Sequence, residues 1–224
     1  MSRATSSVAA LVPAAGSGSR LGLGPKAFVR LAGRTLIEHA AWLLAGEVDE
    51  VLIAVPDGWV ADAARLVPHA RVLLGGQTRQ ETVERLASAT DAEWVVVHDA
   101  ARPLTPGDVV RRVLEAAQRA GAASAAVEVA DTLHDTDLDA PVAREALRAV
   151  QTPQAFARRR LLEAHRSARV AGTGATDDAQ LIRAAGGTVE LVPGSPWSHK
   201  LTRAADLPWL EAVARGRDAV SDGS

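Results

Sequence analysis

The chain has 224 residues, of which 47% are hydrophobic, a formal net charge of -2 and no cysteine. This length and apolar fraction are enough for one buried core, so we expect a single α/β domain. The absence of cysteine excludes disulfides, thiolate zinc sites, iron–sulfur clusters and a cysteine nucleophile. The charge is too close to zero to indicate a nucleic-acid partner, since polyanion binding requires a surface rich in cations.

Apolar runs are too short for a membrane protein. None approaches the ~20 residues that a spanning helix needs, and residues 8–12 are too few for the hydrophobic core of a signal peptide. We therefore expect a cytoplasmic protein with no membrane partner.

Short apolar runs alternate with longer amphipathic segments along the chain. The predicted strands are residues 8–12, 51–55, 71–74, 94–98, 122–129 and 188–192. The predicted helices are residues 35–45, 59–67, 79–89 and 106–120. Unbroken apolar runs indicate strands that are buried on both faces. Alternation of strand and helix indicates a mainly parallel twisted sheet with helices on both faces, in which ligands bind beyond the carboxyl ends of the strands.

One segment interrupts this alternation. Residues 131–150 carry Asp, Thr, His and Pro with weak periodicity. We interpret this segment as an arm that leaves the main sheet.

The loop after the first predicted strand combines small residues with two cations. Residues 13–22 read P-A-A-G-S-G-S-R-L-G, and Lys26 follows. Small residues let backbone N–H groups approach phosphate oxygens, and Arg20 and Lys26 add positive charge, so the loop suits a triphosphate. A dinucleotide fingerprint fits poorly because Leu21 stands where its last glycine belongs, and no Gly-Lys-Ser/Thr of a Walker A loop is present. The remaining alternative is a glycine-rich turn with solvated cations.

Polar motifs also follow the third and fourth predicted strands. Residues 75–82 open with a glycine pair and run into a helix, which predicts free amides for a base edge or a phosphate. Asp99 could hold a substrate hydroxyl or Mg²⁺ with its waters, and Arg102 could grip a phosphate in a bidentate manner. A tight turn at the first motif and an internal Asp99–Arg102 ion pair at the second are the alternatives.

Later motifs are less specific. Thr132 and Arg144 in the arm, and the Q-T-P-Q at residues 151–154, could hold an anion or be surface polar groups. The T-D-D-A at residues 176–179 is typical of a helix N-terminus, and a lone lysine such as Lys200 is more often a surface residue. The six histidines lack metal-binding spacing and no G-x-S-x-G elbow is present, which disfavours zinc enzymes and hydrolases.

In their order, these motifs resemble those of the 2-C-methyl-D-erythritol 4-phosphate cytidylyltransferases of the non-mevalonate isoprenoid pathway. The resemblance runs from about Val8 to about Leu210 and includes P-A-A-G-x-G-x-R-[ML] with P-K shortly after, G-G-x-x-R, V-H-D-A-A-R-P, T-P-Q, T-D-[DE]-A and K-[IVL]-T. It implies one Rossmann-like nucleotidyltransferase domain. The implied reaction transfers CMP from CTP to 2-C-methyl-D-erythritol 4-phosphate and gives 4-diphosphocytidyl-2-C-methyl-D-erythritol and pyrophosphate, with Mg²⁺ as cofactor.

The resemblance also implies roles for individual residues. The catalytic residues would be Arg20, Lys26, Arg144 and Lys200. The nucleotide-binding residues would be Ala14, Ala15, Gly16, Gly76, Gln77, Thr82 and Ala100. The substrate-binding residues would be Asp99, Arg102, Thr132, Thr152 and Thr176. Mg²⁺ would lie near Asp99 and be held mostly by the CTP phosphates and water. The arm would swap between the protomers of a homodimer, so that Thr132 and Arg144 reach the neighbouring subunit's site.

Two other functions remain open. A cytidylyltransferase for another polyol phosphate, such as ribitol 5-phosphate, would use the same CTP loops, although Arg144 favours the methylerythritol family. A non-catalytic nucleotide-binding protein could share the fold, although the intact Arg20, Lys26 and Asp99 speak against it. Fused relatives carry a second catalytic domain after the last helix, and because this sequence stops at Ser224 we expect a monofunctional enzyme.

Overall fold

The structure is a computed structural model and describes residues 6–16, 18 and 24–221. Its strands are β1 (Val8–Pro13), β2 (Arg30–Leu31), β3 (Arg34–Thr35), β4 (Glu50–Val55), β5 (Arg71–Leu74), β6 (Trp94–Val97), β7 (Ala122–Glu128), β8 (Leu133–Asp135), β9 (Ala140–Val142), β10 (Arg148–Ala157) and β11 (Glu190–Pro193). Its α-helices are α1 (Leu36–Ala45), α2 (Val60–Leu66), α3 (Arg79–Ser88), α4 (Gly107–Ala120), α5 (Arg158–Ala171), α6 (Asp178–Ala184) and α7 (Asp206–Ser221). Short 3₁₀ helices occupy Lys26–Phe28, Arg144–Ala146 and Pro196–Ser198.

The central sheet is mainly parallel, as the sequence predicts. Its strand order in the described part of the chain is β11-β7-β10-β6-β1-β4-β5. β1 runs parallel to β4 and β6, β4 runs parallel to β5, and β11 runs parallel to β7. Only β10, among these strands, is antiparallel to its neighbours, β6 and β7. The predicted class, an α/β fold with a mainly parallel sheet and helices on both faces, is confirmed.

β10 is the sheet strand that the sequence analysis missed. Its middle carries Gln151, Thr152 and Gln154, which are polar, and Pro153. All three polar residues are nevertheless buried. Because an apolar run was the criterion for a buried strand, a strand with buried, hydrogen-bonded polar side chains does not meet it.

The apolar strands divide their side chains between two core layers. In β1, Val8, Ala10 and Val12 pack in one layer with residues of α1, α4 and α7, whereas Ala9 and Leu11 pack in the other with residues of α3, α5 and α6. Both faces of the strand are therefore covered, which explains the unbroken apolar run. The arrangement fixes the carboxyl ends of β1, β5 and β6 at one edge of the sheet.

Residues 131–147 leave the main sheet, whereas residues 148–150, which the sequence also assigned to the arm, already belong to β10 and pair with β7. β8 and β9 form a separate antiparallel pair in which Leu133 lies opposite Val142. The turn between them exposes 77% of Leu138, and the short helix Arg144–Ala146 leads back to β10. Among the described residues, no helix has the length and apolar character needed to cross a membrane.

Candidate active site

A cavity of about 520 Å³ lies at the carboxyl ends of β1, β5 and β6. Its walls come from the segments that follow these three strands and from the segment that precedes α7. The lining residues include Ala14, Ala15, Gly16, Gly18, Lys26, Gly76, Gln77, Thr78, Arg79, Thr82, Asp99, Ala100, Ala101, Lys200 and Thr202. The cavity therefore occupies the edge of the sheet at which a parallel α/β fold is expected to bind its ligand.

Glycine permits two close approaches in the cavity wall. Gly18 has a φ of 68°, and a Cβ atom there would lie 2.2 Å from the carbonyl oxygen of Gly24. A Cβ atom on Gly75 would lie 2.2 Å from the Cβ of Ala15. The loop after β1 thus packs directly against the end of β5, with no space for a side chain between them.

The amides of the second motif are not free, contrary to the sequence prediction. Gly76 N donates to Thr82 Oγ1 at 3.0 Å, and Gln77 N donates to Glu81 Oε2 at 2.7 Å. The Thr82 hydroxyl in turn donates to the Thr78 carbonyl oxygen at 2.8 Å. The prediction was wrong because the first turn of α3 supplies side-chain acceptors for these amides. Thr82, which is 1% exposed, therefore shapes the loop as well as lining the cavity.

Asp99 is the centre of charge in the cavity. Its Oδ2 accepts a hydrogen bond from Lys200 Nζ at 2.7 Å, and its Oδ1 lies 3.4 Å from Arg79 Nε. Its backbone N donates to Thr152 Oγ1 at 3.0 Å. Burial by itself would raise the pKa of Asp99, but Arg79, Lys200 and, to a smaller extent, Arg102 outweigh it and hold the pKa well below its usual range. The carboxylate is therefore ionised at neutral pH.

The described lining of the cavity carries three cations, Lys26, Arg79 and Lys200, against the single carboxylate of Asp99. Positive charge thus dominates a concave site whose walls are partly buried. Moreover, the chain has only two lysines among its 25 basic residues, and both of them line this cavity. Such a site favours a ligand with several negative charges.

Arg102 does not form the internal ion pair that the sequence left open. Its Nη1 donates to the Ser198 carbonyl oxygen at 2.6 Å, while Asp99 pairs with Arg79 and Lys200. Burial lowers the pKa of Arg102; nearby Asp99 opposes this effect and Arg79 adds to it, and the pKa is lowered overall. Arg102 therefore holds the segment that precedes Lys200 in place, next to the cavity rather than in its lining.

Other predicted site residues lie apart from the cavity lining. Thr152 is buried behind Asp99, and the exposed Thr176 exchanges hydrogen bonds with Gln180 at the start of α6. Thr132 and Arg144 are exposed on the arm. Arg20 falls outside the described residues. The structure therefore brings together the loops after β1, β5 and β6 with Lys200, and leaves the arm residues away from this chain's own cavity.

Arg144 lines a second cavity, of about 460 Å³, at the base of the arm. Its Nη1 donates to the Ala130 carbonyl oxygen. Glu128, Glu145 and Arg148 share the lining with it.

Arg79 is the principal cavity residue to which the sequence analysis gave no role. It stands within the G-G-x-x-R motif and is the first residue of α3. A signal for it was present, because a cation in the first turn of a helix opposes the helix dipole and needs a local reason. That reason is its two carboxylate partners, Asp99 and Asp178.

Comparison with known proteins identifies close similarity over nearly the whole chain. A family model described as 2-C-methyl-D-erythritol 4-phosphate cytidylyltransferase matches residues 8–215. A protein of that name from Deinococcus radiodurans is 50% identical over 208 residues, which cover 92% of this chain and 88% of the relative. The crystal structure of the Thermus thermophilus protein of that name has a TM-score of 0.84 and 45% identity, and the match covers 93% of this chain and 99% of that one. The Francisella tularensis structure has a TM-score of 0.77 and 25% identity, with 91% and 98% covered.

Proposed function

The chain belongs to the 2-C-methyl-D-erythritol 4-phosphate cytidylyltransferase family, and from this premise we propose that the cavity around Asp99 is its active site. The protein is a cytidylyltransferase that transfers CMP from CTP to 2-C-methyl-D-erythritol 4-phosphate and releases pyrophosphate, a step in isoprenoid precursor synthesis.

The observation that carries the assignment of the site is its charge. Both reactants are anions, and Lys26, Arg79 and Lys200 meet at the edge of the sheet around one carboxylate. A phosphate oxygen of the acceptor attacks the α-phosphorus of CTP, and the bond from that phosphorus to pyrophosphate breaks. Because the attacking oxygen is already anionic, the site needs no general base. Its task is to hold two anions in line and to stabilise the charge that develops.

Individual roles follow from position in the cavity. Lys26, together with Arg20 of the same loop sequence, would hold the triphosphate. Ala14, Ala15, Gly16, Gly76, Gln77, Thr82 and Ala100 would surround the nucleotide. Lys200 would hold the attacking phosphate. Asp99 would accept a hydrogen bond from a hydroxyl group of the methylerythritol phosphate and would keep Lys200 oriented.

The donor set fits a Mg²⁺ ion that arrives with the nucleotide. Mg²⁺ prefers oxygen ligands and is often held by one or two carboxylates together with substrate phosphates. Asp99 is the one carboxylate in the described cavity lining, and no group of three or more His, Cys, Asp or Glu side chains within the described residues could hold a metal alone. Asp99 would face such an ion through water. When bound, the ion would neutralise charge on the transferring phosphates.

The arm would complete the site of a second subunit. Thr132 and Arg144 are exposed and lie outside the lining of this chain's cavity, and the Arg144 guanidinium could pair with an acceptor phosphate although Glu128 and Glu145 lie beside it. A homodimer in which each arm reaches the partner's cavity would give Thr132 and Arg144 a function. Arg102, Thr152 and Thr176 would instead contribute to the cavity of their own subunit. Because CTP is a cytoplasmic nucleotide, the reaction would take place in the cytoplasm.

Pyrophosphate release tests the proposal directly. With CTP and Mg²⁺, we expect release with 2-C-methyl-D-erythritol 4-phosphate, little with ribitol 5-phosphate, little when UTP replaces CTP, and none with EDTA. Release with ribitol 5-phosphate alone would keep the mechanism and reject the acceptor. CTP binding without release from either acceptor would indicate a nucleotide-binding protein without catalysis.

A further inference from the structure

A buried carboxylate outside the cavity holds one of the cavity's cations. Asp178, the first residue of α6, is 1% exposed, and its Oδ2 accepts a hydrogen bond from Arg79 Nη1 at 2.7 Å. Its other oxygen lies 3.2 Å from Nε2 of His165, which is also fully buried. Asp178 is absent from the cavity lining, and Arg79 is the lining residue with which it pairs.

The start of α6 is itself fixed by the sheet. Ala179 N donates to Oε1 of the buried Gln154 at 3.2 Å, and Gln154 belongs to β10. This contact holds the Asp178 backbone in place relative to the strand that also carries Thr152, the partner of the Asp99 amide. Asp178 and Asp99 therefore approach Arg79 from two elements with fixed relative positions.

Arg79 lies between these two carboxylates. Burial alone would lower its pKa, but Asp178 and Asp99 outweigh burial and raise the pKa overall, so the guanidinium stays charged. Its Nη1 contact to Asp178 is 2.7 Å, whereas its Nε contact to Asp99 is 3.4 Å. The closer partner is thus the one outside the cavity, and the Oδ2 of Asp99 is left to Lys200 at 2.7 Å.

We propose that Asp178 is a positioning residue for cytidylyl transfer: by holding Arg79 from behind, it keeps that guanidinium from competing with Lys200 for the Asp99 carboxylate. This inference rests on the function proposed above. Without the charge of Asp178, Asp99 is the only carboxylate left to Arg79 among its described partners, and Arg79 moves toward it. Lys200 then loses its fixed position relative to the acceptor phosphate, while the loops that would bind CTP are unchanged.

The test compares Asp178→Asn with Asp177→Asn. Both variants remove one carboxylate from the start of α6, but Asp177 is the N-cap residue, accepts a hydrogen bond from Gln180 N at 2.8 Å and does not contact Arg79. Asparagine also caps helices well, so Asp177→Asn should keep turnover within about twofold of the wild type. Asp178→Asn should lower kcat by about tenfold to a hundredfold, the range that misplacement by up to about 1 Å produces. Titration calorimetry should show that the Asp178→Asn variant binds the same number of CTP molecules per subunit as the wild type.

Two further variants separate positioning from folding. Asp178→Glu keeps the charge and should recover most of the lost kcat. Asp178→Asn added to Arg79→Gln should cause no further loss, because the carboxylate acts through the guanidinium. The inference would be overturned if the kcat losses of the two single variants multiplied in the double variant. It would also be overturned if the kcat of Asp178→Asn fell only in proportion to the number of CTP molecules bound per subunit, because that would indicate a fraction of unfolded protein. A wild-type protein that releases no pyrophosphate would instead reject the proposed function.

Discussion

Lys200 Nζ lies 2.7 Å from Asp99 Oδ2, although 101 residues separate the two in the sequence. Asp99 follows β6, and Lys200 follows the short helix Pro196–Ser198 near the start of α7. The contact fixes an ammonium group at the edge of the sheet before any substrate arrives. Charge that is held in place beforehand stabilises a transition state without the cost of reorganisation.

Replacement of Lys200 tests whether the reaction needs an ammonium group at this point. The ammonium is a compact charge on a flexible stem, whereas the guanidinium is a planar fork, so arginine should not substitute for it. We expect Lys200→Gln and Lys200→Arg each to lower kcat by about a hundredfold or more, which matches the ~2.7–4 kcal/mol lost when one preorganised donor is removed. Steady-state pyrophosphate release measures the effect.

The exposed Arg203 offers a control three residues away. Arg203→Gln should stay within about twofold of the wild-type kcat, because Arg203 is exposed and lies outside the described cavity lining. A Lys200→Arg variant with wild-type turnover would show that positive charge alone is sufficient.

The sequence predicted well those features that depend on local pattern. Short, mainly apolar runs located β1, β4, β5, β6 and β7 to within one residue at each end. The capping box at the start of α1 is equally local: the Thr35 and Glu38 side chains bond each other's backbone N–H groups. Loop residues such as Lys26 and Asp99 follow these strands directly, so the parallel topology alone brings them together.

Features that depend on distant partners were missed. Arg79 pairs with Asp178, which lies 99 residues further along the chain, and no spacing rule relates the two. The amide of Gly76 was expected to be free, but it donates to the Thr82 hydroxyl. The sequence does not show this bond, because it depends on how the first turn of α3 packs against the loop that precedes the helix. β10 was missed because its buried side chains are polar. Thr152 and Gln154 accept hydrogen bonds from the backbone amides of Asp99 and Ala179, which offset the cost of burying them.

Gly75→Ala should weaken CTP binding by a steric route. The added Cβ would lie 2.2 Å from the Cβ of Ala15, so one of the two loops must move. Overpacking of this kind costs typically about 1–3 kcal/mol, and part of that cost should appear as a displaced loop after β1 and a CTP affinity reduced by about tenfold. Calorimetric titration with CTP measures it.

Gly46→Ala is the matched control for that substitution. Gly46 has a φ of -83°, and an added Cβ there meets no atom within 4 Å. Its CTP affinity should equal that of the wild type. Equal affinities for the Gly75 and Gly46 variants would show that the contact between the loops does not shape the nucleotide site.

His98 should make stability depend on pH. Its side chain is fully buried, and burial lowers its pKa to about 4 from 6.5, although Asp99 acts in the opposite direction. Well above pH 6.5 the residue is neutral in both folded and unfolded chains. As the pH falls from 6.5 towards 4, the unfolded chain binds a proton that the folded chain does not, so the free energy of unfolding decreases by up to about 1.4 kcal/mol per pH unit.

Urea denaturation between pH 7 and pH 4.5, in EDTA and without nucleotide, measures this dependence. In the His98→Asn variant, the free energy of unfolding should depend on pH less steeply by the contribution of one proton, whatever the absolute stability of the variant. The comparison of slopes isolates His98 from the five other histidines, which are common to both proteins. Parallel stability curves for the two proteins would contradict a buried neutral imidazole.

Mixing two inactive variants tests whether the arm serves the partner subunit. Lys200→Gln disables a subunit's own cavity, whereas Arg144→Ala disables the exposed arm. In a mixed dimer with swapped arms, the intact cavity of the Arg144 variant meets the intact arm of the Lys200 variant, so one of its two sites works. Since half of the dimers are mixed at equal concentrations after exchange, activity should return to about a quarter of the wild-type value. If each arm served its own cavity, every site in the mixture would carry one defect and the activity would stay at the level of the separate variants.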